Sequence, residues 1–266
     1  MHILVADPLS EVGIQYLREQ PGFEVAYRPE SSTPEVLAKI RSTDGLIVRS
    51  KTKVTRAVLD AAPKLRVIGR AGAGVDNIDL EAATQRGVLV MNTPGVNSVS
   101  AAEHAFTLLL ALARRIPLAD SALRQGRWSK TGLIGQELSR KRLGIVGLGQ
   151  IGSLVAQRAL GFQMKVLAFD PFVGEKYAAD LGVDLLSLDD LLRQSDFVSL
   201  HLPLNEKSRG LICRKTLKLM KEEAFLVTAA RGELVVEEDL ADALETGHLG
   251  GAGLDVFEAE PQVHPR

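Results

Sequence analysis

Leu143-Gly144-Ile145-Val146-Gly147-Leu148-Gly149-Gln150-Ile151-Gly152 joins an apolar run to three glycines at fixed spacing. The run from Leu143 to Val146 is expected to be a buried strand, and the residues after Gly149 begin a helical pattern. Gly147 and Gly149 allow a tight turn that brings the backbone against a pyrophosphate. Gly152 lets the helix lie close to the sheet, with its positive end aimed at the phosphates. Asp170 closes the next apolar run, 18 residues after Gly152. A carboxylate there can accept both ribose hydroxyls of an adenosine and would repel a 2′-phosphate, which favours NAD over NADP. In a chain with 24 glycines the bare pattern is weak; the strand before it, the helix after it and the acid downstream make it specific. Two plainer readings stay open, a glycine-rich connection and a helix-capping aspartate ahead of Pro171.

Outward from this stretch, short apolar runs alternate with helical patterns along the whole chain, which predicts parallel sheets built from βαβ units. Strands are expected at 2–6, 23–26, 45–48, 66–69 and 88–91, then at 143–146, 165–169, 197–200, 224–228 and 250–254. Amphipathic stretches such as Glu35 to Ile40 lie between them. The breaker cluster Thr93-Pro94-Gly95 precedes a long helix from about Ser98 to Arg114. The chain therefore reads as α/β, with two doubly wound parallel-sheet domains, 1–97 and 98–266. The long helix is apolar around most of its circumference (Ala101, Ala102, Ala105, Leu108, Leu109, Leu112), so it is expected to be covered on several sides. His104 on it reads as a packing histidine, because no strand end is seen to deliver partners to it. Trp128 reads as an anchor for an arm packed on a neighbouring subunit, pointing to a homodimer or higher homo-oligomer.

A net charge of −1 over 266 residues provides no field for nucleic acid or an acidic membrane, so an anionic ligand must be held by local cations. The single cysteine, Cys213, excludes an internal disulfide and suits a reducing compartment; it reads as a surface or helix-edge thiol. The most apolar stretch, Ala105 to Ala113, is too short to span a bilayer, and the first residues form a strand rather than a leader. A cytoplasmic protein without a metal site is expected.

Open α/β sheets bind ligands at the carboxyl ends of their strands. In the second half those ends carry Gly147, Asp170, His201-Leu202-Pro203, Arg231 and Asp255; in the first half they carry Asp7, Arg49, Arg70 and Asn92. Arg231, after an apolar strand and before Gly232, can grip a carboxylate with two parallel hydrogen bonds, though a surface ion pair remains the alternative. Glu260, before Pro261, is an ordinary loop acid unless it partners a histidine, whose pKa it would raise into the range of a general base.

Gly69-Arg70-Ala71-Gly72-Ala73-Gly74-Val75-Asp76-Asn77-Ile78-Asp79, the glycine turn, and Asp255-Val256-Phe257 running to Glu260-Pro261 together resemble the D-isomer-specific 2-hydroxyacid dehydrogenases. Arg49 to Thr55, Asn97-Ser98 and Ala101-Ala102-Glu103 resemble the members of that family that act on 3-phosphoglycerate. The resemblance implies a flavodoxin-like substrate domain and a Rossmann domain for NAD. It implies oxidation of a small phosphorylated 2-hydroxy acid, 3-phosphoglycerate, to 3-phosphohydroxypyruvate, the first step of serine biosynthesis. Ala73, Gln150, Ile151, Asp170, Leu202, Ala229, Ala230, Arg231 and Asp255 would join the glycines around NAD. Arg49, Ser50, Lys51 and Asn97, with Gly72 to Gly74, would face the substrate. Arg231 and Glu260 would be catalytic, Glu260 through a histidine. The family pattern places that histidine beyond Arg266, together with a last strand and a helix returning to the first domain. His264, four residues after Glu260, aligns with a different loop. The 266 residues are therefore expected to bind NAD and to turn over very slowly. Thr228 and Val236 depart from the residues common in the family. A glyoxylate or hydroxypyruvate reductase, and a dinucleotide-sensing corepressor-like interaction protein, are the alternatives; the Arg49/Lys51 loop weighs against both.

Overall fold

A computed structural model describes residues 1–29, 33–128 and 131–266, the side chains of 33–35 and 37 excepted. The chain forms two compact units, Met1–Asn97 and Ser98–Arg266.

The first unit runs β1 (His2–Val5), α1 (Glu11–Arg18), β2 (Glu24–Tyr27), α2 (Thr33–Ile40), β3 (Gly45–Val48), α3 (Arg56–Asp60), β4 (Val67–Arg70), α4 (Leu80–Gln85) and β5 (Leu89–Asn92). Its sheet has the order β2-β1-β3-β4-β5, and every pairing is parallel. Helices on both faces explain why the central strands read as continuous apolar runs rather than alternating ones. Leu4, Leu46 and Val48 pack with Ile40, Leu59 and Ile68 in one cluster, while Ile3 and Val5 face the other way, onto Ile14. Polar side chains set the helix starts: Ser10 accepts from Gly13 N at α1, and Asp79 from Ala82 N at α4.

The second unit contains α5 (Ser98–Ala113), α6 (Ile116–Arg124), β6 (Arg142–Val146), α7 (Gln150–Gly161), β7 (Lys165–Phe169), α8 (Glu175–Asp180) and β8 (Asp184–Leu185). It continues with α9 (Leu188–Gln194), β9 (Phe197–Leu200), α10 (Arg214–Leu217), β10 (Ala224–Thr228), a 3₁₀ turn (Gly232–Leu234), α11 (Glu237–Glu245) and β11 (Leu249–Leu254). The sheet order is β11-β10-β9-β6-β7-β8, again parallel throughout. Counted from β8 this is the 3-2-1-4-5-6 order of a Rossmann sheet. β8 is not among the strands expected from the sequence, because its two residues are too few to show a hydrophobic period.

Leu143, Ile145, Phe197 and Val227 face α5 and α7 on one side of this sheet; Val146, Val198, Leu200 and Leu226 face the other. α5 lies unusually close to β11 because that strand is glycine-rich. A Cβ on Gly253 would stand 3.1 Å from Leu112 Cδ1 and 3.2 Å from Leu108 Cβ, and one on Gly251 would meet Leu112 Cδ2 at 3.4 Å. Among the described residues no helix is long and apolar enough to cross a membrane.

Candidate functional site: a dinucleotide cradle at a strand switch point

In the second unit the strand order reverses between β6 and β9, where two neighbouring strands send their connections to opposite faces and leave a crevice. The glycine turn sits there. His201 N donates to Val146 O (2.8 Å), carrying the β9 end alongside the β6 end. Gly147 has a φ of +95°, and a Cβ on it would lie 2.9 Å from the His201 carbonyl carbon and oxygen. Both facts require glycine. Gly152 is tighter: its Cβ would fall 2.1 Å from Gly147 O and 3.2 Å from Ile145 Cγ2, so α7 rests directly on the turn. Gly149 is the opposite case, because a Cβ there would meet nothing within 4 Å. It is the N-cap of α7, provides no side-chain cap, and is followed by no acidic residue in the first turn. The chain thus directs the positive end of a twelve-residue helix at open space.

Asp170 stands half-buried at the end of β7. One carboxylate oxygen accepts from Leu148 N and the other from Phe172 N, each at 2.9 Å. The helix-capping alternative fails here, since α8 begins at a Gly174 N-cap without a side-chain bond. Asp170 instead ties the glycine turn to the β7 end, and each oxygen keeps a further lone pair for a ligand donor. Gln150 is fixed by Ser98, whose hydroxyl bonds Gln150 Oε1 at 3.2 Å. Ile151 packs on the core facing α5 and α7, and Leu202 on the opposite one. The His201 ring bonds Ser199 Oγ at 2.8 Å, and desolvation pushes its pKa down to about 4.

Beyond β10, Thr228 Oγ1 accepts from Ala230 N (3.3 Å), and Thr228 O accepts from Asp255 N (3.0 Å). Threonine therefore holds the Ala229-Ala230-Arg231 bend. Arg231 is half-buried and its Nη1 donates to Ala230 O at 2.6 Å. Gly232 lets this bend meet the loop after β11, because a Cβ would sit 2.0 Å from the Phe257 carbonyl carbon. Asp255 is exposed at the end of β11 and bonds His104 Nε2 at 3.1 Å. This corrects the sequence reading of His104: it is about half-exposed, and a strand end does deliver a carboxylate to it. The pair joins residues 151 positions apart in the chain, which no local pattern signals. Glu260 is exposed and accepts from Phe257 N at 3.0 Å; His264 is held by Glu238 at 2.9 Å instead. Cys213 forms the N-cap of α10. Desolvation raises its thiol pKa, but hydrogen bonds from the Thr216 and Lys215 amides outweigh that and lower it overall.

The first unit has its own switch point, between β1 and β3, and a carboxylate organises it. Asp7 is 1% exposed and accepts from Arg49 N (2.5 Å), Thr52 N (3.2 Å) and Thr52 Oγ1 (2.6 Å). Asn77 Nδ2 closes the same loop from the other side, donating to Arg49 O and Thr52 O at 2.7 Å each. Arg49, Ser50 and Lys51 project from this clamped loop and are exposed. The neighbouring loop runs close by. Asn92 Nδ2 donates to Ala73 O at 2.7 Å, Thr93 N donates to Gly72 O at 3.0 Å, and a Cβ on Gly72 would collide with the Arg70 guanidinium. Gly74 lies in the same loop, and Asn97 is exposed at the end of the unit. In the sequence Asp7 stands at a strand end with no local signal of this clamping role, and Asn77 stands out only within the Gly69–Asp79 motif.

Helix α7 over its glycine turn, with an acid at the adjoining strand end, makes the second unit a dinucleotide-binding domain. Residues 106–266 match the family model for the D-isomer specific 2-hydroxyacid dehydrogenase NAD binding domain, and the chain belongs to that family, with NAD as its cofactor. It is 44% identical over 261 residues to a D-3-phosphoglycerate dehydrogenase of Archaeoglobus fulgidus, covering 98% of this chain and 49% of the relative. It is 49% identical over 259 residues to one of Mycobacterium tuberculosis (strain H37Rv), covering 97% and 49%. The crystal structure of the TT0316 protein from Thermus thermophilus superposes with a TM-score of 0.92 at 39% identity, covering all of this chain and 85% of that one. The chain spans about half the length of the curated relatives it matches.

Proposed function

We propose that this chain provides the NAD- and substrate-binding parts of an enzyme that oxidises 3-phosphoglycerate to 3-phosphohydroxypyruvate, which opens serine synthesis in the cytoplasm. The observation that carries this reading is the Asp7-anchored loop, which sets Arg49 and Lys51 at the switch point of the first sheet. A phosphorylated substrate needs cations there, and a small keto acid does not. The similarity to phosphoglycerate dehydrogenases over almost the whole chain supports it.

NAD, when bound, accepts the hydride released from C2 of the substrate. The chain's own residues hold and orient the reactants. The α7 amides and the glycine turn bind the diphosphate, and Asp170 binds the adenosine ribose. Leu202, Ala229, Ala230 and Asp255 complete that surface. Arg231 fixes the substrate carboxylate and stabilises the oxygen as it becomes a carbonyl. Arg49, Ser50, Lys51 and Asn97, with the backbone of Gly72 to Gly74, take the phosphate end. Glu260 is the carboxylate available to orient a histidine general base. α6 presents Ile116, Leu118 and Leu123, and Trp128 follows, all exposed; this surface supports a homo-oligomer.

Calorimetric titration in the presence of NADH tests the substrate assignment. Replacing Arg49→Gln and Lys51→Met together should weaken 3-phosphoglycerate by about tenfold or more, the loss expected for charge-assisted hydrogen bonds, and leave D-glycerate unchanged. Equal weakening of both ligands would refute the phosphate role.

A further inference from the structure

The pairing of His104 with Asp255 follows from register. Gly251, Gly253 and Asp255 alternate along one strand line, so they share a face of the sheet edge. Leu112, Leu108 and His104 are spaced by four on α5, so they share a helix face. The contacts of Leu112 with Gly251 and Gly253, and of Leu108 with Gly253, show the helix descending the strand in the opposite direction. One turn further, His104 arrives at Asp255, with Nε2 3.1 Å from Oδ1. The glycines bring the helix close enough for that contact.

Sheet order says what this carboxylate faces. The diphosphate turn lies at the β6/β9 switch point and Asp170 lies to one side of it, at β7. β10 and β11 lie to the other side, so the half of a dinucleotide remote from its adenosine lies toward Asp255. That half carries a carboxamide, which has N–H donors.

We infer that His104 is a positioning residue for the nicotinamide end of NAD: it holds Asp255 through Oδ1 and thereby presents Oδ2 to the carboxamide. The inference rests on the dinucleotide reading of this unit and goes beyond it in naming the residue that aims the carboxylate. Glutamine in place of His104 retains an N–H donor of similar reach; leucine retains volume and helix propensity but no donor.

The test titrates the 266-residue chain with NADH, followed by nicotinamide fluorescence, and with ADP-ribose, which lacks the nicotinamide, followed by calorimetry. His104→Leu should raise the Kd for NADH about tenfold, with ADP-ribose unchanged. His104→Gln should restore most of the loss. On an Asp255→Ala background, His104→Leu should add nothing, because the interaction it removes is already gone. Equal weakening of both ligands would mark His104 as structural and overturn the inference, as would no change in either. If the unsubstituted chain bound neither ligand, the dinucleotide reading itself would fall, and this inference with it.

Discussion

Two glycines three residues apart in one turn answer different demands, and substitution separates them. Gly152 has no room for a methyl group, with backbone oxygen 2.1 Å from the Cβ position. Gly152→Ala should lift α7 off the turn and cost about 1–3 kcal/mol of stability, read as a lower midpoint in chemical denaturation. Gly149 has room, and its φ of −76° is open to any residue. Gly149→Ala should cost only about 1 kcal/mol or less, the usual range for a weaker N-cap, while weakening NADH by tenfold or more. A Gly149→Ala variant that still bound NADH at full strength would mean that the diphosphate lies elsewhere. Asp7 belongs to the same scale. Its carboxylate accepts three hydrogen bonds at 1% exposure, and Asp7→Ala leaves those donors to find other partners. The expected cost is about 1–3 kcal/mol, with weaker 3-phosphoglycerate binding and unaltered NADH binding.

At the level of elements, what the sequence disclosed depended on how local the signal was. The strands that were anticipated are apolar runs of four to six residues bounded by turn residues, and they lie within a residue or two of where they were expected. β8 escaped because only Asp184 and Leu185 pair with β7. The glycine turn was legible because strand, turn and helix are consecutive. Asp170 was legible as a strand-end acid, but its bond to Leu148 N depends on how the β7 end folds back over the turn. The His104–Asp255 contact was hidden for a deeper reason: it is fixed by the spacing of α5 on β11, which two glycines set from within the strand. That spacing gives an element-scale prediction. Gly253→Val would drive branched methyls into Leu108 and Leu112 and should destabilise the unit by about 1–3 kcal/mol. It should also weaken NADH binding, by moving His104 away from Asp255. Unchanged stability would show that α5 is free to retreat.

For the whole molecule, one contribution to the acid response comes from His201. Its folded pKa of about 4 lies below the ordinary value of 6.5, so between these values the unfolded chain binds a proton that the folded chain does not. Stability therefore rises with pH across that window, and is lost as pH falls from about 6.5 toward 4, by at most about 3 kcal/mol from this group. Urea midpoints measured at intervals over that range should show the slope, and His201→Gln should flatten it. The single tryptophan offers an optical readout of another property. Trp128 is 76% exposed, so a dilute solution should emit at the long wavelengths of a hydrated indole. A shift toward shorter wavelength as the protein is concentrated would record dry contact forming around that ring, without any label attached.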